Sequence, residues 1–67
     1  MQLTLIAKKN CKPCEDLKAE LIAEGTEFEV VVFDDLPKEE KRRIAKIGRD
    51  NGHAYLPMLF DGENLIR

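Results

Sequence analysis

Leu3-Thr4-Leu5-Ile6, followed across Lys8-Lys9-Asn10 by Cys11-Lys12-Pro13-Cys14 and then Glu15-Asp16-Leu17, is the stretch on which the reading of the chain turns. The first four residues are nearly all apolar, and a strand over 2–6 is expected to be buried on both faces of a sheet. The polar residues 8–10 form a loop. The cysteines stand three apart at the start of an amphipathic stretch, on one helical turn, where a small disulfide ring can close. The first of them lies beside the unpaired N–H groups of the helix N-terminus, whose partial positive charge favours a thiolate. Cys11 therefore reads as a nucleophile and Cys14 as its resolving partner.

Outward from this pair, Cys14, Leu17, Leu21 and Ala23 or Ile22 recur at helical spacing and predict a helix over 13–24, with Gly25 as its stop. Glu15 and Asp16 in its first turn suit the helix dipole, and their charge limits how far the Cys11 thiol is acidified. Phe28-Glu29-Val30-Val31-Val32-Phe33 is rich in β-branched and aromatic residues, apolar at both parities, and reads as a second buried strand. A helix between two strands makes a β-α-β unit, so the strands are expected to be parallel with a right-handed crossover. Pro37-Lys38-Glu39-Glu40 opens a second helix, predicted to run to Ile47 and to end at Gly48. Its inward residues are Leu36, Ile44, Ala45 and Ile47, and Lys41, Arg42, Arg43 and Lys46 are its solvated side. Residues 49–55 read as a loop, 56–60 as a short strand opening at Pro57, and Asp61-Gly62 as a hairpin turn into Asn64-Leu65-Ile66. The order β-α-β-α-β-β makes a single α/β domain, 1–67, with a mixed sheet of about four strands.

The sequence has 67 residues, 43% hydrophobic and 36% charged, with a formal charge of −2 and two cysteines. A domain of this size stands near the lower limit at which one apolar core outweighs chain entropy. The balance suits a globular chain and excludes a disordered one. No basic stripe with interleaved aromatics argues for nucleic acid, and no run approaches the ~20 apolar residues of a membrane span. Met1-Gln2 leads into a strand without a signal segment, so a cytoplasmic setting is expected. In that reducing compartment a lone cysteine pair is redox-active or metal-binding before it is a structural staple. Lys8, Lys9 and Lys12 beside it favour a thiolate and an anionic substrate.

With these residues in place the chain resembles glutaredoxins, the compact branch of the thioredoxin fold. The likeness rests on Leu5-Ile6 and Lys8 leading into Cys11-Lys12-Pro13-Cys14, on the β-α-β-α-β-β order, and on Tyr55-Leu56-Pro57 before Met58-Leu59-Phe60. It implies a cis Leu56-Pro57 bond that touches the cysteine turn. It also implies a thiol-disulfide oxidoreductase acting as an electron carrier on protein or glutathione mixed disulfides, with Cys11 and Cys14 catalytic. Lys8, Lys12, Pro13, Tyr55, Leu56 and Pro57 would bind substrate: Lys8 would pair a glutathione carboxylate, and the Leu56 backbone its cysteine unit. No cofactor is tightly bound on this reading; glutathione is a co-substrate, a reductase is a further possible partner, and the chain is a monomer or weak dimer. The glycine pair and final helix of the family have no counterpart before Ile66-Arg67, so the likeness is to a short form lacking the C-terminal helix. One sheet face would then want a cover from a partner chain, unless the chain is trimmed or loosely stable. Lys12-Pro13 departs from the Pro-Tyr common between glutaredoxin cysteines and sets proline before the second cysteine, as thioredoxins do.

Two readings of another class stand beside this one. Cys11 and Cys14 supply two thiolates to a metal and His53 could be a third ligand, but a closed zinc site needs four and one chain cannot complete it; a dimer could instead hold a metal or an iron–sulfur cluster through Cys11 and Cys14. The chain could instead be a noncatalytic interaction module. Tyr55 then packs at the sheet end, whereas in a redox protein it lines the substrate groove.

Overall fold

The computed structural model describes residues 3–67, so the expected start of the first strand at residue 2 and the reading of Met1-Gln2 lie outside the described residues. The elements follow in the expected order: β1 (Leu3–Ala7), α1 (Lys12–Ala23), β2 (Phe28–Val32), a 3-10 turn (Phe33–Asp35), α2 (Lys38–Asp50), β3 (Met58–Asp61) and β4 (Asn64–Leu65). They form one four-stranded sheet in the order β2-β1-β3-β4. β1 pairs parallel with β2, from Leu3 opposite Phe28 to Ala7 opposite Val32, and antiparallel with β3, with Leu5 opposite Leu59. As the inner strand of the β-α-β unit, β1 is buried through Leu5, Ile6 and Ala7.

Successive side chains of a strand point to opposite faces, and here each face receives one helix. Leu5 and Leu59 meet Leu21 of α1, with Leu3, Leu17 and Phe28 around them. On the other face Ile6, Met58 and Phe60 meet Ile44 of α2, with Val31, Phe33, Leu36, Ile47, Leu56 and Leu65 around them. The expectation that one face lacks a cover is thus corrected for the described residues. Leu59 on the α1 face is only 2% exposed. Beside it the chain runs on from β4, Leu59 N–H donating to Arg67 O at 3.0 Å and Ile66 N–H to Leu59 O at 2.7 Å. The Arg67 guanidinium reaches Glu20 of α1 and Glu24 just past its end at 3.6 and 3.7 Å, tying this segment to the helix.

Four local expectations are revised. β2 is an edge strand: Glu29 and Val30 are exposed, and the rest of the strand is only half-buried. Its apolar composition fits a strand, but its place in the sheet leaves one side without a neighbour. Phe33 leaves the strand for the 3-10 turn and packs on the α2 cluster, with the Lys41 ammonium 5.9 Å from its ring. On α1, Ile22 and Ala23 face outward, because the inward face is completed by Cys14, Leu17 and Leu21. Finally, α2 does not stop at Gly48 but continues to Asp50. Gly48 is buried in the helix, where a Cβ would lie 2.6 Å from both His53 O and Met58 Cε. The stop is Gly52, at φ +69, with His53 N–H bonding Gly48 O at 2.7 Å and Gly52 N–H bonding Arg49 O at 3.2 Å. These are the paired bonds of a Schellman ending, which wants a left-handed residue just past the helix. The same device closes α1 at Gly25, where Thr26 N–H bonds Leu21 O and Gly25 N–H bonds Ile22 O, each at 3.0 Å.

β3 starts at Met58, directly after Pro57, which has no N–H to give to a ladder. A two-residue turn, Gly62-Glu63, then joins Asp61 to its partner Asn64.

Candidate active site

The site is assembled where β1 hands over to α1. Asn10 turns the chain with φ 53, a left-handed conformation that asparagine tolerates better than other non-glycine residues. Cys11 then takes extended angles as the N-cap of α1, and its sulfur accepts the backbone N–H of Cys14 at 3.2 Å. A helix leaves its first N–H groups without intrahelical acceptors, and here a cysteine sulfur fills the place usually taken by a serine or aspartate oxygen. Pro13 falls in the first turn, where a missing N–H costs nothing. Cys11 and Cys14 are joined as a disulfide with their Cα atoms 5.2 Å apart, within the range a disulfide requires.

Both cysteines are buried, at 5% and 4% exposure, so access does not tell them apart. Position does: only Cys11 has its sulfur on the helix N-terminal N–H groups. Together with Ala7 they form a small cluster, closed by Leu56 from the loop before β3. The Leu56-Pro57 bond is cis, as the resemblance implied, and Leu56 packs on the cluster that holds the cysteines.

The other predicted substrate residues divide between two sides of this cluster. Lys8 joins Cys14, Glu15, Lys18, Val30 and Val32 around a cavity of about 160 Å³ on the α1 face. Tyr55 and Leu56 line a separate apolar cavity of about 220 Å³ with Phe33, Ala45, Ala54 and Met58. Ala45, expected in the core, is exposed on the rim of this cavity. Lys12 and Pro13 are exposed on the first turn of α1, and Lys9 is exposed in the loop before it. Tyr55 does not pack at the sheet end; it is 63% exposed and its ring stacks on His53 at 4.0 Å.

Sequence reading missed what His53 does. Its Nε2 donates to Pro57 O at 2.9 Å, so the ring is engaged in holding the loop. Among the described residues no group of three or more histidine, cysteine or acidic side chains stands together to hold a metal ion. Its available signal was its position, directly after Asn51-Gly52 and four residues ahead of the proline. Likewise none of the described helices is long and apolar enough to cross a membrane.

No protein-family model matches the sequence, and no curated protein matches it. Solved structures do. A glutaredoxin from Archaeoglobus fulgidus superposes with a TM-score of 0.67 at 25% identity, covering 96% of this chain and 71% of that one. Buckwheat glutaredoxin, in its complex with glutathione, gives 0.72 at 20% identity, and the holo form of a glutaredoxin from Populus tremula x tremuloides gives 0.73 at 23%. Each covers 96% of this chain, which spans only 57% of either plant protein. The β-α-β-α-β-β order, the sheet with β1 inside, and the cysteine pair heading α1 beside a loop with a cis proline together give the chain a thioredoxin-like fold, similar to that of these glutaredoxins.

Proposed function

We propose that the protein is a thiol-disulfide oxidoreductase that reduces protein or glutathione mixed disulfides through a reversible Cys11–Cys14 disulfide. The observation that carries this reading is the disulfide at the N-cap of α1, with the Cys11 sulfur accepting the Cys14 N–H and Leu56 packed on the cluster that holds the pair. In the reduced protein the helix N-terminal N–H groups stabilise a Cys11 thiolate. That thiolate attacks a substrate disulfide, forming a Cys11–substrate mixed disulfide and expelling one substrate thiolate, which takes up a proton. Cys14, one helical turn away, loses its proton and attacks the Cys11 sulfur. The second substrate thiolate leaves, and two electrons have passed from the protein to the substrate. Two thiol equivalents, from glutathione or a reductase, restore the dithiol.

The known complex of the buckwheat protein supports glutathione as the co-substrate. Lys8, beside Cys14, is the cation we assign to a glutathione carboxylate, and Lys12, Pro13, Tyr55, Leu56 and Pro57 frame the remaining approach to the sulfurs.

Alkylation of the reduced protein with iodoacetamide across pH tests the assignment. Cys11 is expected to react with an apparent pKa below that of free cysteine while Cys14 reacts slowly; equal and unshifted reactivity refutes it. In parallel, Cys11→Ser should abolish disulfide reduction. Cys14→Ser should accumulate a mixed disulfide on Cys11, read by intact mass. Lys8→Glu should slow reduction of a glutathione mixed disulfide, and an unchanged rate removes Lys8 from the site.

A further inference from the structure

The bonds of His53 have no part in the proposed exchange, yet they fasten the loop that carries Leu56 to the cysteines. Its backbone N–H bonds Gly48 O at 2.7 Å, the closing bond of α2. Its carbonyl lies so close over Gly48 that no Cβ fits there. Its Nε2 reaches forward to Pro57 O at 2.9 Å, and its ring carries the Tyr55 ring at 4.0 Å with 24° between the planes. One residue thus ties the end of α2, the exposed aromatic ring and the residue before β3 into a single piece. Leu56, which lies inside that piece, packs on the cluster formed by Ala7, Cys11 and Cys14.

We infer that His53 is a positioning residue for the oxidoreductase: its imidazole N–H fixes the 54–57 loop so that Tyr55 and Leu56 form a preset wall of the substrate groove beside the cysteines. This rests on the function proposed above. The carbonyl of Pro57 can only accept, so the proton must be on Nε2. Both the Nε2–H tautomer and the doubly protonated ring meet that requirement. Fixing a loop before substrate arrives lowers the ordering cost of binding, so the effect belongs in KM and not in the reactivity of the sulfur. Two chemically different features of the side chain contribute. The flat ring supports Tyr55, and the N–H holds Pro57, so they can be separated by substitution.

The experiment compares His53→Phe, which keeps an aromatic face for Tyr55 and removes the donor, with His53→Gln, which keeps a donor. The probe is a mixed disulfide of glutathione with a short peptide. With His53→Phe, KM is expected to rise about two- to tenfold, the worth of one hydrogen bond, with kcat and the Cys11 alkylation rate little changed. His53→Gln should recover part of the loss. An unchanged KM in His53→Phe, with turnover intact, overturns the positioning role alone. Absence of turnover in the unsubstituted protein overturns the oxidoreductase reading and this inference with it. Should His53→Phe fail to fold, the unsubstituted protein decides. A long-range proton–nitrogen spectrum of the imidazole should show the proton on Nε2, and a ring with its proton on Nδ1 alone refutes the bond.

Discussion

At the scale of single residues, the geometry of the cysteine pair depends on the residue before it. Asn10 sits at φ 53, and this left-handed step delivers Cys11 to the N-cap with its sulfur on the Cys14 N–H. A β-branched side chain is the least suited to that conformation, and left-handed backbone costs ordinary residues about 1–2 kcal/mol. Asn10→Val is therefore expected to lower stability by roughly that amount and to slow Cys11 alkylation, because the N-cap is displaced. Asn10→Gly should leave both nearly unchanged. Urea unfolding and alkylation rates on the two variants check this, and equal behaviour of valine and glycine contradicts it. The N-cap cysteine and its partner one turn on were legible from spacing alone. The left-handed angle was not, since asparagine is equally at home in an ordinary loop.

At the scale of elements, glycine carries two different meanings in this chain. Gly25 and Gly52 stop helices, at φ +72 and +69, whereas Gly48 lets the loop after α2 lie directly on the helix. Alanine at Gly48 would gain about 1 kcal/mol of helix propensity. Against this, its methyl would meet the His53 carbonyl, a backbone atom held from both sides, and overpacking of that kind costs about 1–3 kcal/mol. Gly48→Ala is expected to be net destabilising and to impair substrate binding through the displaced loop. A urea midpoint at or above that of the unsubstituted protein would show the clash to be absorbed. Local pattern supplied the helix itself, its start after Pro37 and its inward Ile44. It supplied the wrong stop, because a buried close approach and a C-terminal cap both call for glycine. Only the neighbour across the gap distinguishes them.

At the scale of the molecule, the sheet is a thin core with one helix per face, and its stability depends on a few residues. Leu5, Leu21 and Leu59 are the largest fully buried side chains. Truncating such a leucine typically costs about 2–5 kcal/mol, and a core of this size supplies only about 3–5 kcal/mol in all. Leu59→Ala should consequently lose most of its cooperative thermal transition by circular dichroism. Val30→Thr on the exposed edge should stay within about 0.5 kcal/mol of the unsubstituted protein. A sharp, little-shifted melt for Leu59→Ala contradicts the two-sided core. The surface pairs count for less. Glu40 and Arg43, 2.8 Å apart and about half exposed, hold the guanidinium above its ordinary pKa, chiefly by their hydrogen bond. That raised value favours the charged form already present at neutrality, so no stability change with pH is expected from it in the working range.

The order of elements, the helix headed by Cys11 and the ring that Cys14 can close were all determined by the sequence, because caps, turns and periodicity act between residues close along the chain. Tertiary structure alone decided that β2 lies at an edge, that Gly48 is a contact and not a stop, and that His53 holds Pro57 while Tyr55 stacks upon it. Those outcomes depend on which surfaces meet in space, and an apolar strand, a glycine or a histidine reads the same along the chain whichever neighbour it finds.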